Sequence, residues 1–472
     1  MKEFLGKDYL LDSELALKLY KNSAETAPIF DFHCHLSPKE IYEDKHFETI
    51  TEAWLGRNMA GDHYKWRLLR EAGVDEKYIT GSASDEEKFL KFAEVMPSFI
   101  GNPIYEWAHL ELKRFFGIDE PLSLKNAKKV YEICNEKLKT LSCREMLRQM
   151  NVKIVFTTDD LIDDLKYHEL MAQDKTMPFE VYPCIRPDGV LKIDADDFAN
   201  YIDKLSSVVG YKIDSVKLLE KAIHERLDFL ALHGCRASDH DIVFTNFIKK
   251  DADSVDLILK KRLKGEELSF EELVIYRSYF LVFLGKEYAK RGWVNQYHIG
   301  VLRNANARLF KTLGKDTGID CGNDMEIVKG LANLMSELEL TNELPRTIIY
   351  VINEKDYGAV ATLINSFNDG SIKGKVQLGS AWWFNDHYDG MTRQLKTLGN
   401  NGLLSCFVGM VTDSRSFLSY VRHEYFRRTL CNVIAGYVES GRYPNDVEML
   451  EKIVKDISFN NAYEYFFKRE EK

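Results

Sequence analysis

The chain has 472 residues, 45% hydrophobic and 29% charged, with only 28 glycines and 10 prolines, which excludes disorder or low complexity and allows up to about three domains at ~150 residues each. Against 64 Lys and Arg stand 74 Asp and Glu, a formal net charge of −10 with no basic run, and this argues against a nucleic-acid partner. There is no run of ~20 apolar residues, no signal-peptide core in MKEFLGKDYLLDSE and no Cys-x-x-Cys among the eight cysteines, so a cytoplasmic protein with reduced thiols and no membrane contact is expected.

Short apolar runs alternate with amphipathic stretches along the chain. The first predicted strand is 28–33 (PIFDFH). Helical periodicity follows over 62–72, 85–95, 105–116 and 124–138. Strands are then predicted at 152–157 (VKIVFT), 179–185 (FEVYPCI) and 234–238, with a helix over 215–233 before the last of these. A helix over 271–291, stopped by Gly292, leads to a strand at 293–298 (WVNQYH). A helix over 325–338 and strands at 347–352 (TIIYVI), 375–379 and 404–411 (LSCFVGMV) precede a final helix over 417–437.

Eight strand-then-helix units predict an α/β protein, a distorted (β/α)8 TIM-like barrel with a large helical insertion after strand 1. A doubly wound open sheet also alternates, but the strand count and the lack of an early Gly-rich phosphate loop favour the barrel. The connection over 37–151 is too long for one crossover and is read as an inserted helical lobe over the barrel mouth, with 1–36 and 152–472 forming the barrel.

In such a barrel the site is built where the strands end. His33 and His35 are two apart, so an extended backbone turns both side chains to one face. Asp413 follows strand 8, which closes the barrel beside strand 1; the alternative is an Asp capping the helix near Phe417. Two histidines and a carboxylate leave an open position on a metal ion, with zinc or another first-row divalent ion suited to neutral imidazoles. Arg186 ends strand 3 and offers a planar fork for a carboxylate, or a pair with Asp188. Arg415, two past Asp413, is expected on the same face of an extended segment. Asp62 reads as the N-cap of a helix whose first turn holds His63 and Tyr64, and a helix start favours an anion. Trp382 and Trp383 offer an aromatic wall of which one ring at most faces a ligand if the segment is extended. His298 ends strand 5, and Asp159 and Asp160 are read as a cap for the next helix.

The His-x-His after strand 1 and the Asp after strand 8 resemble the amidohydrolase superfamily. The strings FDFHCHL, AWLGRNMAGDHYKWRLLREAGV, FTTDD, IRPD, GCRASDH, QYHIGVLRNANARLF, QLGSAWWFNDHYDGM and GMVTDSRSF, in this order over about 30–417, resemble the uronate isomerases within it. The superfamily adds a His after strand 6 and a Lys on strand 4, and here Asn353-Glu354 and Ser238-Asp239-His240 stand instead, which argues for one metal at most. The resemblance implies an aldose–ketose isomerase that interconverts glucuronate and fructuronate, or galacturonate and tagaturonate, by moving a proton between C2 and C1. It implies one divalent metal, zinc, on His33, His35 and Asp413; Asp413 as base; His63 assisting ring opening; Tyr64 shuttling a proton between oxygens; and Arg415 steadying an enediolate. Arg186, His298, Trp382 and Trp383 are the expected substrate contacts. A small-molecule hexuronate and a homo-oligomer are the expected partners. The rival readings are a mononuclear metal-dependent hydrolase of the same superfamily and a sugar-acid binding barrel without activity.

Overall fold

A computed structural model describes residues 2–56 and 61–468. Part of the string beginning at Ala53, residues 57–60, lies outside the described residues. The strands are β1 (Ile29–Asp31), β2 (Val152–Phe156), β3 (Glu180–Tyr182), β4 (Ala237–Ile242), β5 (Val294–Ile299), β6 (Val301–Leu302), β7 (Cys321–Gly322), β8 (Thr347–Val351) and β9 (Val376–Leu378). Parallel pairing runs β1-β2-β3 and β4-β5-β8-β9, and single bridges from Ile185 to Asp159 and to Ser238 join the two groups. Short parallel strands, mostly buried on both faces, with helices between them give a distorted (β/α)8 barrel.

The eighth strand is a correction. Residues 404–406 form a 3-10 turn, and 407–414 carry no ladder. Gly409 at φ +87° breaks the extended path, and an added Cβ there would meet the carbonyl oxygen of Ile457 at 2.5 Å. Closure falls to scattered bonds: Val408 N–H to Gln377 Oε1 (3.2 Å), Asp413 N–H to the His33 carbonyl (3.1 Å) and His35 N–H to the Ser414 carbonyl (2.9 Å). The fourth strand also lies later than its apolar run, because Asp239 sits in its fully buried interior and an apolar-run criterion passes over such a segment.

Between β1 and β2 the chain is helical, with Asp85–Val95, Pro103–Phe116 and Ala127–Leu138 close to the predicted bounds. Asp62 caps His63–Glu71 by accepting from the N–H groups of Tyr64 and Lys65, as its position suggests. Neither Asp159 nor Asp160 caps the next helix, Lys166–Gln173, which begins after Leu165. Asp159 instead accepts from the Thr157 hydroxyl (2.8 Å) and Cys184 N–H (3.2 Å).

The N-terminal end of the barrel is stoppered by rings. Phe466, on the C-terminal helix Asn461–Phe467, packs 4.9 Å from Phe32 and 5.4 Å from both Phe30 and Phe156. Polar side chains are thereby left to the opposite mouth. No helix among the described residues is long and apolar enough to cross a membrane.

Candidate active site

At the C-terminal mouth, His33 Nε2 lies 3.1 Å and His35 Nε2 3.0 Å from the same oxygen, Asp413 Oδ1. Two imidazole nitrogens about 3 Å from one carboxylate oxygen, with all three atoms within 4.8 Å of one another, can share a centre ~2.1 Å from each, so this donor set fits a divalent ion. Burial brings His35 down to about 4, so its imidazole is neutral near pH 7, whereas at His33 burial is outweighed by Asp239 and Asp413, which raise it; an ion held here would take the place of the Nε2 protons directed at Asp413. Burial alone would push the Asp413 carboxyl up, but the bonds from His33 and His35 outweigh it and hold it well below the usual range. Its second oxygen accepts the Trp382 indole N–H at 2.6 Å. Asp413 stands at φ +45°, in the left-handed region that a non-glycine residue enters only when its surroundings hold it there.

Behind this set lies Asp239, fully buried. Arg186 donates to it through Nε, and His298 Nδ1 lies 2.6 Å from its other oxygen. A carboxylate accepts only, so His298 carries its proton on Nδ1, and Nε2, which has no partner among the described residues, presents a lone pair. The His298 ring stacks on Tyr350 at 4.4 Å and meets the edge of Trp382 at 4.7 Å. A second group of potential ligands, His33, Asp239 and His298, overlaps the first. There the Arg186 guanidinium already neutralises Asp239, so the His33–His35–Asp413 group is the better cation site. Arg186 therefore pairs with Asp239 rather than Asp188, and its terminal nitrogens make no bond among the described residues.

His63 and Tyr64 are brought to the same mouth by their helix, the His63 ring lying 5.1 Å from Trp383, whose neighbour Trp382 bonds Asp413. Burial, then the charge of Arg415, lowers the His63 imidazole below its ordinary value, and burial raises the Tyr64 phenol, so both are neutral near pH 7. The two tryptophans are not on an extended segment: Trp383 has φ +51° and opens a 3-10 turn, and the two indoles serve different sides, Asp413 and His63. Arg415 departs from expectation as well. With Asp413 left-handed, the two residues do not share a strand face, and Arg415 points to Asp316 at 3.8 Å, partly exposed. The helix near Phe417 is capped by Ser416, not by Asp413.

Several residues escaped the sequence reading. Asp239 stands in the string Ser238-Asp239-His240 just past the expected strand 4 and carries no expected role; residues 238–241 are all polar, so no apolar–polar alternation marks the strand that buries it. Arg303 bridges Asp241 (3.0 Å) and Asp320 (3.1 Å) and lies over the Trp383 ring. Arg422 stacks on Trp107 beside Tyr64. A cavity of about 390 Å³ opens next to His63, Tyr64 and Trp383, with Arg67, Asn102 and Trp107 in its wall. None of His33, His35 and Asp413 lines it.

A distorted (β/α)8 barrel with a His/Asp set able to hold a metal ion at its C-terminal mouth defines the class of barrels with a potential metal site at their strand ends. Comparison with known proteins narrows that class. The sequence profile described as "Glucuronate isomerase" matches residues 1–466. The chain is 52% identical over 466 residues to the uronate isomerase of Caldicellulosiruptor saccharolyticus, covering 99% of this chain and 100% of that one. It is 50% identical over 467 residues to the uronate isomerase of Caldanaerobacter subterraneus subsp. tengcongensis, covering 98% and 99%. Among solved structures it is similar to uronate isomerase from Thermotoga maritima, with a TM-score of 0.93 and 35% identity over 99% of this chain and 100% of that one. Glucuronate isomerase from Caulobacter crescentus, at 24% identity and a TM-score of 0.90, covers 99% and 98% and shares the fold. The chain belongs to the glucuronate isomerase family.

Proposed function

We propose that this chain interconverts D-glucuronate with D-fructuronate, and D-galacturonate with D-tagaturonate, by proton transfer from C2 to C1 through an enediol. The isomerase activity on hexuronates follows from the family and its uronate isomerase relatives. The observation that carries the chemical reading is the meeting of His33, His35 and Asp413 on one carboxylate oxygen, next to Arg186 and to the helix start with His63 and Tyr64.

The ion that His33, His35 and Asp413 would hold is read as zinc, and when bound it supplies a Lewis acid that polarises a substrate oxygen. Arg186, pinned through Nε by Asp239, offers its remaining nitrogens to the substrate carboxylate. Tyr64 stays protonated, so its hydroxyl can give a proton to O1 and take one from O2. Asp413, ionised and fixed by the Trp382 indole, takes the proton from C2 and, after that proton has exchanged with solvent, delivers one to C1. His298 Nε2 can accept from a substrate hydroxyl, and Trp382 and Trp383 wall the site against water. The helical segment 37–151 is read as a lobe that carries His63 and Tyr64 onto the barrel. All eight cysteines are free, which supports a reducing, cytoplasmic setting.

Purified protein is expected to form ketose from glucuronate and galacturonate, to lose activity with a chelator and to regain it with zinc or cobalt. In D2O solvent deuterium should enter C1 of the ketose. Asp413→Asn should lower kcat at least a hundredfold, with metal content measured alongside. Retention of the C2 hydrogen at C1 in every condition would point to a hydride shift and overturn the enediol.

A further inference from the structure

Asp413 stands on a segment that no strand ladder holds. Among the described residues, its backbone is tied to the strand-1 side only by its own N–H to the His33 carbonyl and by the neighbouring bond from His35 N–H to the Ser414 carbonyl. Its left-handed φ would relax toward ordinary negative values if the residue before it were free to turn, and that rotation carries the carboxylate away from both imidazoles.

The residue before it is held by Asp31. This carboxylate ends β1, has no exposed surface and makes no ion pair among the described residues. Asp31 Oδ1 accepts Thr412 N–H at 2.9 Å and Oδ2 accepts the Thr412 hydroxyl at 2.6 Å. A buried carboxylate is costly to keep, and both oxygens of this one bond Thr412, the residue preceding Asp413, while the Tyr420 hydroxyl interacts with the same carboxyl. Two bonds from one rigid group fix both the position and the rotation of the Thr412 peptide, which one bond cannot do.

We propose that Asp31 and Thr412 form a latch that positions Asp413, so that Oδ1 falls between His33 and His35. Asp31 and Thr412 touch neither substrate nor ion; they act through Asp413. The inference rests on the metal reading of that group, and the experiment separates the two.

The test compares Thr412→Val, which keeps the branched shape and loses the hydroxyl, with Thr412→Ser, which keeps the hydroxyl and loses the methyl. Cobalt(II) affinity, its visible spectrum and the kcat and KM of each variant are measured. Thr412→Val should bind cobalt about tenfold or more weakly with a shifted spectrum, the range found for groups that orient metal ligands. Its kcat should fall about tenfold or more while KM changes by less than roughly threefold, because Arg186 is untouched. Thr412→Ser should stay within about twofold of wild type throughout. Asp31→Asn, which sets an amide against two donors, should match or exceed Thr412→Val; if it does not fold, the Thr412 pair decides. A Thr412→Val enzyme with wild-type cobalt affinity, spectrum and kcat overturns the latch, and so does a serine variant as impaired as the valine. If wild type itself takes up no cobalt, the metal reading falls, and the kcat contrast between the two Thr412 variants alone judges the latch.

Discussion

His63 illustrates how neighbours set the charge of a site residue. Its position at a helix start is legible from Asp62 and the apolar periodicity behind it, yet its protonation is decided by burial first and by the Arg415 charge second. Both disfavour the imidazolium, so the ring is neutral at pH 7 and charges only when pH falls below its ordinary range. Arg415→Gln removes the second cause and leaves the first. The acid limb of the kcat/KM profile should then move to higher pH, because the ring now takes a proton more readily. A limb that does not move would detach Arg415 from His63. The same contrast runs through the site: spacing was enough to pair His33 with His35, whereas the indole bond from Trp382 to Asp413 links residues on different turns of the barrel and leaves no local trace.

Elements meet where the segment between β6 and β7 crosses the helix His63–Glu71. Arg67 donates to the Asp320 carbonyl at 3.1 Å and Arg70 to that of Thr317, so the loop is strapped along the helix that carries His63 and Tyr64. Gly318 is the contact point: at φ +87° it lets the loop approach, and an added Cβ would sit 2.8 Å from the His63 carbonyl oxygen. Gly318→Ala should therefore shift the helix start and lower kcat/KM by roughly tenfold to a hundredfold, with a small change in Tm. Wild-type kinetics in that variant would show that the loop does not position the helix. The four helical stretches between 62 and 138 were legible because each repeats its apolar residues over three or more turns. The β6–β7 pairing was not, since two residues per strand hold no period to detect.

Across the whole molecule, one end of the barrel is filled and the other is left for chemistry. Phe466 arrives from the C-terminal helix, far from β1 and β2 in sequence, and its ring touches those of Phe30, Phe32 and Phe156. Phe466→Ala should cost about 3–5 kcal/mol, the range for a buried phenylalanine, seen in calorimetry as a fall in Tm of several degrees. Cobalt binding and kcat at low temperature should be kept, because the cavity opens at the end away from Asp413. A loss of metal affinity matching the loss of stability would mean that the stopper and the mouth are not separable.

Alternation and helical periodicity are local properties, and they sufficed for the α/β class, for most strand and helix positions and for the His-x-His pair, whose side chains share a face through backbone geometry alone. The eighth strand failed that reading because 404–411 is apolar like a strand while Gly409 and the close approach of Ile457 deny it a ladder. Asp239 failed for the opposite reason, a strand whose buried interior is charged and satisfied by Arg186 and His298 from its neighbours. Which oxygen of Asp413 faces the imidazoles, which indole holds the other, and where Arg415 points were decided only when strands distant in sequence closed into one barrel, because hydrogen bonds across that closure, not residue spacing, fix those directions.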